Sequence, residues 1–466
     1  MNEALTATRT ALGELPAWLV GGALRDRLIG RETPDLDVVL RGDVSVAART
    51  LARASGGHAF ALSDAFGAWR VVAARGGWQV DLSPLRGASI EHDLALRDFT
   101  INALAEPLAG GALIDPHGGV EDLRGGRLRM VSPEAFGADP LRVLRLARLA
   151  CELSLAADPA TVAAASAHAA ALSSVAAERV WLELRRIVRA QRVLEGLELM
   201  AQVQATAVLL PELEALHGVA QTRYHHLDVH DHTFAVLAEV VALQRHDAHA
   251  QEVLGPHAAA VWALLAEPLS DELTRGDALR LGALLHDVAK PQTRVRLANG
   301  RVGFPGHDLA GAHLAETILR RLRASRRLTD HVAALARNHL RLGFLVHAQP
   351  LDRRAVHRYL RACEPVEVDV TVLSVADRLA TRGRQADQAI AMHVELAGEL
   401  LGEALAWRAA PRRQPLVRGD ELASALGVDR GPRLGELLEQ LEEAAWAGEI
   451  ATREEAITHA RALLKG

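Results

Sequence analysis

Residues 17–40, AWLVGGALRDRLIGRETPDLDVVL, carry the pattern that decides the fold. Four apolar residues, Ala17–Val20, read as a short buried strand. It runs into Gly21-Gly22, and Ala23–Ile29 then reads as a helix stopped at Gly30. Asp35–Leu40 reads as a second strand. Glycine where a strand turns into a helix allows close backbone approach, and the open N–H groups of a helix start attract phosphate. Arg25, one turn in, is placed to add charge-assisted bonds to a triphosphate. Asp35 and Asp37 are two apart on a strand, so both carboxylates share one face. Such a pair suits Mg²⁺, which demands oxygen ligands. Taken singly, a D-x-D and a Gly-Gly are common in turns; here they stand together, in order.

Working outward, Trp69–Ala74 and Trp78–Leu82 read as strands joined at Arg75-Gly76-Gly77, a hairpin signal. Trp78, Val80 and Leu82 alternate with Gln79, Asp81 and Ser83. Asp81 therefore projects from the polar face, a third candidate carboxylate, as metal ligand or as base. After about residue 130 the chain is rich in Ala and Leu and reads as helix. The clearer segments are Pro140–Glu152, Ala176–Arg192, Arg280–Val288, Ala310–Arg323 and Asp369–Arg378, and the Ala-rich run 156–177 also reads as helical structure. The expected fold class is α+β, a small mixed-sheet head followed by all-α parts.

The totals bound the possibilities. At 466 residues the chain is too long for one core. Its net charge of −5 argues against a general nucleic-acid coat protein but leaves room for a local basic groove. Cys151 and Cys363 are the only two cysteines, which excludes a disulfide framework or a thiolate zinc site and fits a reducing cytoplasm. No basic, apolar leader opens the chain and no apolar run reaches membrane length, so no secretory leader and no membrane partner are expected.

The runs LVGGALRDRLIG, PDLDVVL, LRDFTINALA, DPHGGVEDLRGG and DPLRVLRLARLA, in this order over roughly residues 16–192, resemble the bacterial-type tRNA nucleotidyltransferase and poly(A) polymerase family. The resemblance implies that Gly21, Gly22 and Arg25 bind the triphosphate and that Asp35 and Asp37 bind Mg²⁺. It implies that Arg97, Asp98 and Asn102 contact the sugar and phosphates of the incoming nucleotide. Asp115, Gly118, Gly119 and Asp122 match a segment linking head to neck. Asp139 and Arg142 match the pair that reads the incoming base. That assignment makes chemical sense: a carboxylate accepts from the cytosine amino group, and an Arg fork donates to ring acceptors. Family members often carry an acidic residue just before this Asp; here it is Ala138. Only residues 82–96 separate Asp81 from Arg97, as in members that add C-C alone, whereas full C-C-A enzymes usually have a longer segment. The expected partners are tRNA, CTP and, for full CCA synthesis, ATP. A poly(A) polymerase, or a phosphohydrolase with a binding-only head, is the alternative.

Of 21 His, fifteen lie between His217 and His357. The segments HDHTF, LLHDVAK, PGHDLAG, ARNHLRL and VADRLA resemble the HD phosphohydrolase superfamily. The resemblance implies that His232, His286, Asp287 and Asp377 ligate a metal, with His307 and His339 as extra ligands of two-metal members. Imidazole with carboxylate suits a divalent transition metal such as Ni²⁺, Mn²⁺ or Co²⁺. His225, His226 and His230 are the substitutes for His232 if the spacing differs. Lys290, one turn past the doublet, is a candidate phosphate contact.

Two helical arginine stripes are candidates for tracking RNA phosphates: Arg185, Arg189 and Arg192, and Arg142, Arg145 and Arg148, of which Arg145 also falls in the nucleotide-binding set. The tail PLVRGDELASALGVDRGPRLGELL resembles the family's tRNA-holding module, with Gly431-Pro432-Arg433 a candidate phosphate cradle. The expected domains are a head at 1–130, a neck at 131–215, an HD domain at 216–385 and a tail at 386–466.

Overall fold

A computed structural model of the chain describes residues 3–63, 67–74, 76–222, 226–298, 301–382, 386–410 and 414–465. It divides into two compact units, residues 1–209 and 210–466. Among the described residues, no helix is long and apolar enough to cross a membrane.

The first unit begins with six strands: β1 (Ala17–Val20), β2 (Asp35–Leu40), β3 (His58–Ser63), β4 (Ala68–Val72), β5 (Gln79–Pro84) and β6 (Ala105–Pro107). They form one mixed sheet of order β3-β4-β5-β2-β1-β6. β2 is antiparallel to β1 and parallel to β5, while β4 and β5 pair antiparallel as the hairpin reading expects. Arg75 of that hairpin lies outside the described residues.

Period-two alternation sorts the faces. Leu36, Val38 and Leu40 of β2, with Val80 and Leu82 of β5, enter a core shared with Leu5 and Leu12 of the helix Glu3–Leu12 and Leu51 of the helix Val44–Ser55. Each such fully buried Leu or Val contributes about 2 kcal/mol. Asp35 and Asp37 alternate with these residues, and so does Asp81 on β5. A one-residue slip of β2 would drive both carboxylates into this core, so burial of one face fixes the other. The cost of the slip sets the position of the acidic pair.

Beyond the sheet the first unit is helical, from Arg142–Leu153 to Val193–Gln202, with one exception: Arg127–Leu128 pairs parallel to Ala156–Ala157. The helix expected over Ala176–Arg192 is present but stops three residues early. Ala177–Arg189 ends where Ala190 turns to extended backbone, and Val193–Gln202 begins after Arg192.

The second unit packs the helices Val229–Leu243, Arg275–Leu285, His307–Arg321, Arg326–Asn338 and Glu367–Ala380 against one another. It is not wholly α: Pro268–Ser270 pairs with Leu273–Thr274, and Val295–Arg296 with Val302–Gly303. The helices Gly419–Leu426, Pro432–Ala447 and Arg453–Lys465 close a separate apolar cluster around Leu422, Leu437 and Leu441.

Candidate active site and metal centre

The register places Asp37 directly opposite Asp81 across β2 and β5, with Asp35 opposite Gln79. Three carboxylates thus lie on one face of two adjacent strands. Solvent still reaches the Asp37 residue, but protein crowds its carboxyl. That desolvation, reinforced by Asp81 and Asp35 and opposed by Arg97 and Arg145, raises its pKa. Such crowding of like charge is relieved by a divalent cation, which fits Mg²⁺ at Asp35 and Asp37.

Asp81 is not open-handed. Arg70, its cross-strand partner on β4, grips both oxygens, Nε to Oδ1 at 2.7 Å and Nη2 to Oδ2 at 2.8 Å. Sequence reading missed Arg70. Its signal was available, because Arg70 and Val72 alternate with the buried Val71 and so fall on the carboxylate face.

Gly21 caps the helix Gly22–Leu28 at φ 72°, in the left-handed region. A Cβ there would stand 3.1 Å from Arg97 Nη1 and 3.4 Å from Asp37 Oδ2. The glycine turn is therefore pressed against the acidic pair and against Arg97. Arg97 in turn is aimed by Asp93, a buried carboxylate the sequence reading missed. Nε and Nη2 donate to its Oδ1 at 3.2 and 3.0 Å.

The remaining cradle residues form one hydrogen-bonded chain. Arg25 is buried and donates to Asn102 Oδ1 at 2.7 Å and to Asp26 Oδ1 at 2.7 and 2.9 Å. Asn102 donates to Asp98 Oδ1 at 3.0 Å. Asp98 also accepts from Phe99 N at 2.8 Å and from Arg145 Nε and Nη2 at 2.8 and 2.6 Å. Four donors fill its four acceptor positions. The resemblance assigns Asp98 to the incoming nucleotide; here it is the hub that ties the cradle to the helix Arg142–Leu153.

Burial alone would raise the Asp98 pKa, but Arg145, Asn102 and the Phe99 N–H outweigh it and hold it far below the usual carboxylate range. A depressed folded pKa adds stability that is present above the unfolded value, about 3.9, and is lost as pH falls through the folded one. Asp98→Ala should therefore lower the unfolding free energy at pH 7 by about 3 kcal/mol, as for a broken, largely buried pair, and with it the urea midpoint. The gap from wild type should narrow only in strong acid. An unchanged midpoint at pH 7 would remove Asp98 as the hub.

The neck arginines are corrected by the structure. Arg145 and Arg148 turn inward, Arg148 to Glu183 and, at 2.8 Å, to Glu152. Arg142 donates to the carbonyls of Leu96, Arg97 and Ala135 at 2.8, 3.2 and 3.1 Å. This stripe is an internal network, not an RNA-facing surface, because Asp98, Glu152 and Glu183 attract it. Asp139 stands in extended backbone ahead of the helix, not on it, so it and Arg142 are not helical neighbours. Its Oδ1 accepts from Leu141 N at 3.2 Å and its Oδ2 from Arg179 Nη2 at 2.8 Å.

Of the other stripe, Arg189 and Arg192 are exposed and Arg185 is half-buried. Arg192 lies beyond the end of the helix Ala177–Arg189 and pairs with Glu195. Asp115 accepts from Gly119 N and Val120 N at 2.7 and 3.0 Å, and Asp122 is buried against Thr100 and Arg129. A Cβ on Gly119 would sit 2.1 Å from the Thr100 carbonyl oxygen, so this linking segment packs backbone to backbone. In the tail, Arg433 pairs with Glu436 at 3.3 Å.

In the second unit the expected ligands converge from five helices. His232 lies in Val229–Leu243 and Asp377 in the last turn of Glu367–Ala380. His307 opens His307–Arg321, and His339 caps Arg326–Asn338. His286 and Asp287 fall just past Arg275–Leu285, not inside a helix as expected. The chain restarts as Lys290–Thr293, with a proline in its first turn that cannot continue the previous helix.

His232 Nε2 is 3.0 Å from Asp377 Oδ1, and His286 Nε2 is 3.1 Å from Asp287 Oδ2. His307 and His339 approach Asp287 Oδ1 at 3.3 and 3.8 Å. Donors around one ion at about 2.1 Å stand roughly 3.0–3.4 Å apart. His286, His307 and His339 each place Nδ1 on a carbonyl three residues back, at 2.6–2.8 Å, so Nδ1 donates and Nε2 is the ligating atom. Burial, with His286, pushes His339 down to about 4, keeping it neutral. The buried Nε2 atoms of His286 and His307 and Asp287 Oδ1 make no hydrogen bond, as expected of atoms reserved for metal.

Three groups that could hold an ion emerge among the described residues: the buried His232–His286–Asp287 and Asp287–His307–His339, which share Asp287, and the more exposed Asp228–His230–Asp231. His230 stacks on His217 away from the buried cluster, His226 is exposed, and His225 lies outside the described residues. Lys290 is buried and bonds Asp287 at 2.6 Å and Gln221 at 2.7 Å, so it serves the carboxylate, not a free phosphate.

Residues 17–87 and 80–129 match the poly A polymerase head domain, 155–216 the probable RNA- and SrmB-binding site of polymerase A, and 256–382 the HD domain. An A-adding tRNA nucleotidyltransferase of Deinococcus radiodurans is 36% identical over 94% of each chain. A CC-adding tRNA nucleotidyltransferase of Thermus thermophilus is 35% identical over 94% of this chain and 92% of its own. A CCA-adding enzyme solved with CTP shares the fold at TM-score 0.65, with 20% identity over 100% of this chain and 95% of its own. With a divalent-metal nucleotidyltransferase head and an HD domain on one polypeptide, this enzyme belongs to the tRNA nucleotidyltransferase and poly(A) polymerase family.

Proposed function

We propose that this enzyme adds C-C to tRNA 3′ ends from CTP, in the cytoplasm, with Mg²⁺ held by Asp35 and Asp37. The carrying observation is the Asp35, Asp37 and Asp81 face set against Gly21 and Arg97. When bound, Mg²⁺ would supply acidification of the RNA 3′-hydroxyl and neutralisation of departing pyrophosphate. The protein's own part is positioning and charge. The Gly21-Gly22 turn and Arg97 receive the triphosphate, Asp139 and Arg142 face the base, and Asp81, held by Arg70, stands beside Asp37. Arg185, Arg189 and Arg192 meet the RNA backbone. The four-part division into head, neck, HD domain and tail belongs to this reading.

The short 82–96 segment favours C addition. A-addition is the second reading, favoured by the 36% identity to the A-adding relative. Mixing the purified protein with Mg²⁺, labelled CTP or ATP, and tRNA ending before C-C-A or after C-C separates them. Labelling of the shorter tRNA by CTP, with neither tRNA labelled by ATP, supports C-C addition, and labelling of the shorter tRNA by CTP together with the C-C-ended tRNA by ATP supports full CCA synthesis. Labelling of the C-C-ended tRNA by ATP alone supports A-addition. No labelling of either overturns both. The HD ligands, with Ni²⁺, Mn²⁺ or Co²⁺, would add hydrolysis of phosphoester ends, such as cyclic phosphates on damaged RNA.

A further inference from the structure

We infer that Arg179 is a specificity-determining positioning residue that aims the carboxylate of Asp139 at the incoming base. The inference rests on the base-reading role proposed for Asp139. The two oxygens of Asp139 have separate anchors. Oδ1 takes the local Leu141 N–H at 3.2 Å, and Oδ2 takes Arg179 Nη2 at 2.8 Å, from a helix forty residues on. A carboxylate tethered at one oxygen still rotates; tethered at both, its plane is fixed. Each oxygen keeps a lone pair for a further donor.

Fold stability gives no reason for this contact. The pair is exposed, 52% for the Arg179 side chain and 31% for Asp139, where ion pairs add little. Arg179 also sits in the first turn of Ala177–Arg189, where a positive charge opposes the helix dipole. The other base reader, Arg142, is already immobilised on three carbonyls. Position 138 is Ala, so no neighbouring carboxylate can stand in when Asp139 swings away. Asp139 is the group left to be aimed, and Arg179 is what aims it.

The readout is preference for CTP over UTP, or for ATP over GTP if ATP proves the substrate. In both pairs an amino group that donates to a carboxylate is replaced by a carbonyl that cannot. Arg179→Ala should cut the preference about tenfold, as expected for residues in direct contact, while kcat at saturating correct nucleotide changes much less. Arg179→Lys should lie between Arg179→Ala and wild type, and it carries the test if the Ala variant does not fold. Asp139→Asn should lose the preference, and adding Arg179→Ala to it should cost nothing more. An unchanged preference in the Arg179 variants, or an additive double variant, overturns the inference. An unchanged preference in Asp139→Asn instead overturns the base-reading role on which it rests.

Discussion

Asp37→Asn is expected to lower nucleotide incorporation by about a thousandfold while leaving the fold intact. The fold tolerates it because Asp37 is on the sheet face away from the Leu36, Val38 and Leu40 core, and Asn has the same shape. The rate does not, because a neutral amide cannot balance a divalent cation. Metal assistance supplies several kcal/mol of transition-state stabilisation, and about 4 kcal/mol corresponds to about a thousandfold. The raised pKa of Asp37 adds a second signature. Its carboxyl keeps a proton to higher pH than an ordinary Asp, and metal must displace that proton. The Mg²⁺ concentration for half-maximal rate should therefore climb as pH falls toward the carboxylate range. Single-turnover incorporation of labelled nucleotide across Mg²⁺ and pH measures both effects. A variant running at wild-type speed would remove Asp37 from the metal site and with it the proposed mechanism.

Features that repeat with a period were legible in the amino-acid order alone. Alternation along Asp35–Leu40 gave strand, face and acidic pair together, and Ala17–Val20 and Asp35–Leu40 keep their expected bounds. The strand His58–Ser63 and the helix Val44–Ser55 were not anticipated. The first is largely exposed on both faces at the sheet edge, so no apolar alternation marks it. Contacts between distant segments were illegible for a different reason. Arg70 and Arg179 each matter through a partner on another strand or segment that no local pattern names, although alternation does put Arg70 on the carboxylate face; Asp93, four residues before Arg97, was a local pair that went unread. The arginine stripe of Arg142–Leu153 failed on the same ground. Spacing placed Arg142, Arg145 and Arg148 on one face, but not which face, and buried Asp98 and Glu183 decided it. The histidine cluster was legible only through family resemblance, since its members come from five helices with no common period.

Asp287→Asn is expected to empty the whole histidine centre of metal, and His232→Ala or His339→Ala only part of it. Asp287 is the one residue shared by the two buried ligand groups. Its Oδ2 faces His286 and Lys290 and its Oδ1 faces His307 and His339. His286 and Lys290 hold its carboxyl far below the usual range against the cost of burial, so it is a full negative charge at the middle of the cluster. Removing that charge leaves imidazoles alone to bind, and metal affinity should fall by at least about a hundredfold, the upper end of what loss of even an outer-shell partner costs. Elemental analysis of the dialysed protein after loading with Mn²⁺, Co²⁺ or Ni²⁺ gives the occupancy directly. The nucleotide-adding rate is the internal control, since the carboxylates of the sheet lie in the other unit and should be indifferent to the change. If Asp287→Asn retained as much metal as wild type, the ligand set would be wrong. If it lost metal no faster than His339→Ala, the carboxylate would not be shared between two ions, and the centre would hold only one.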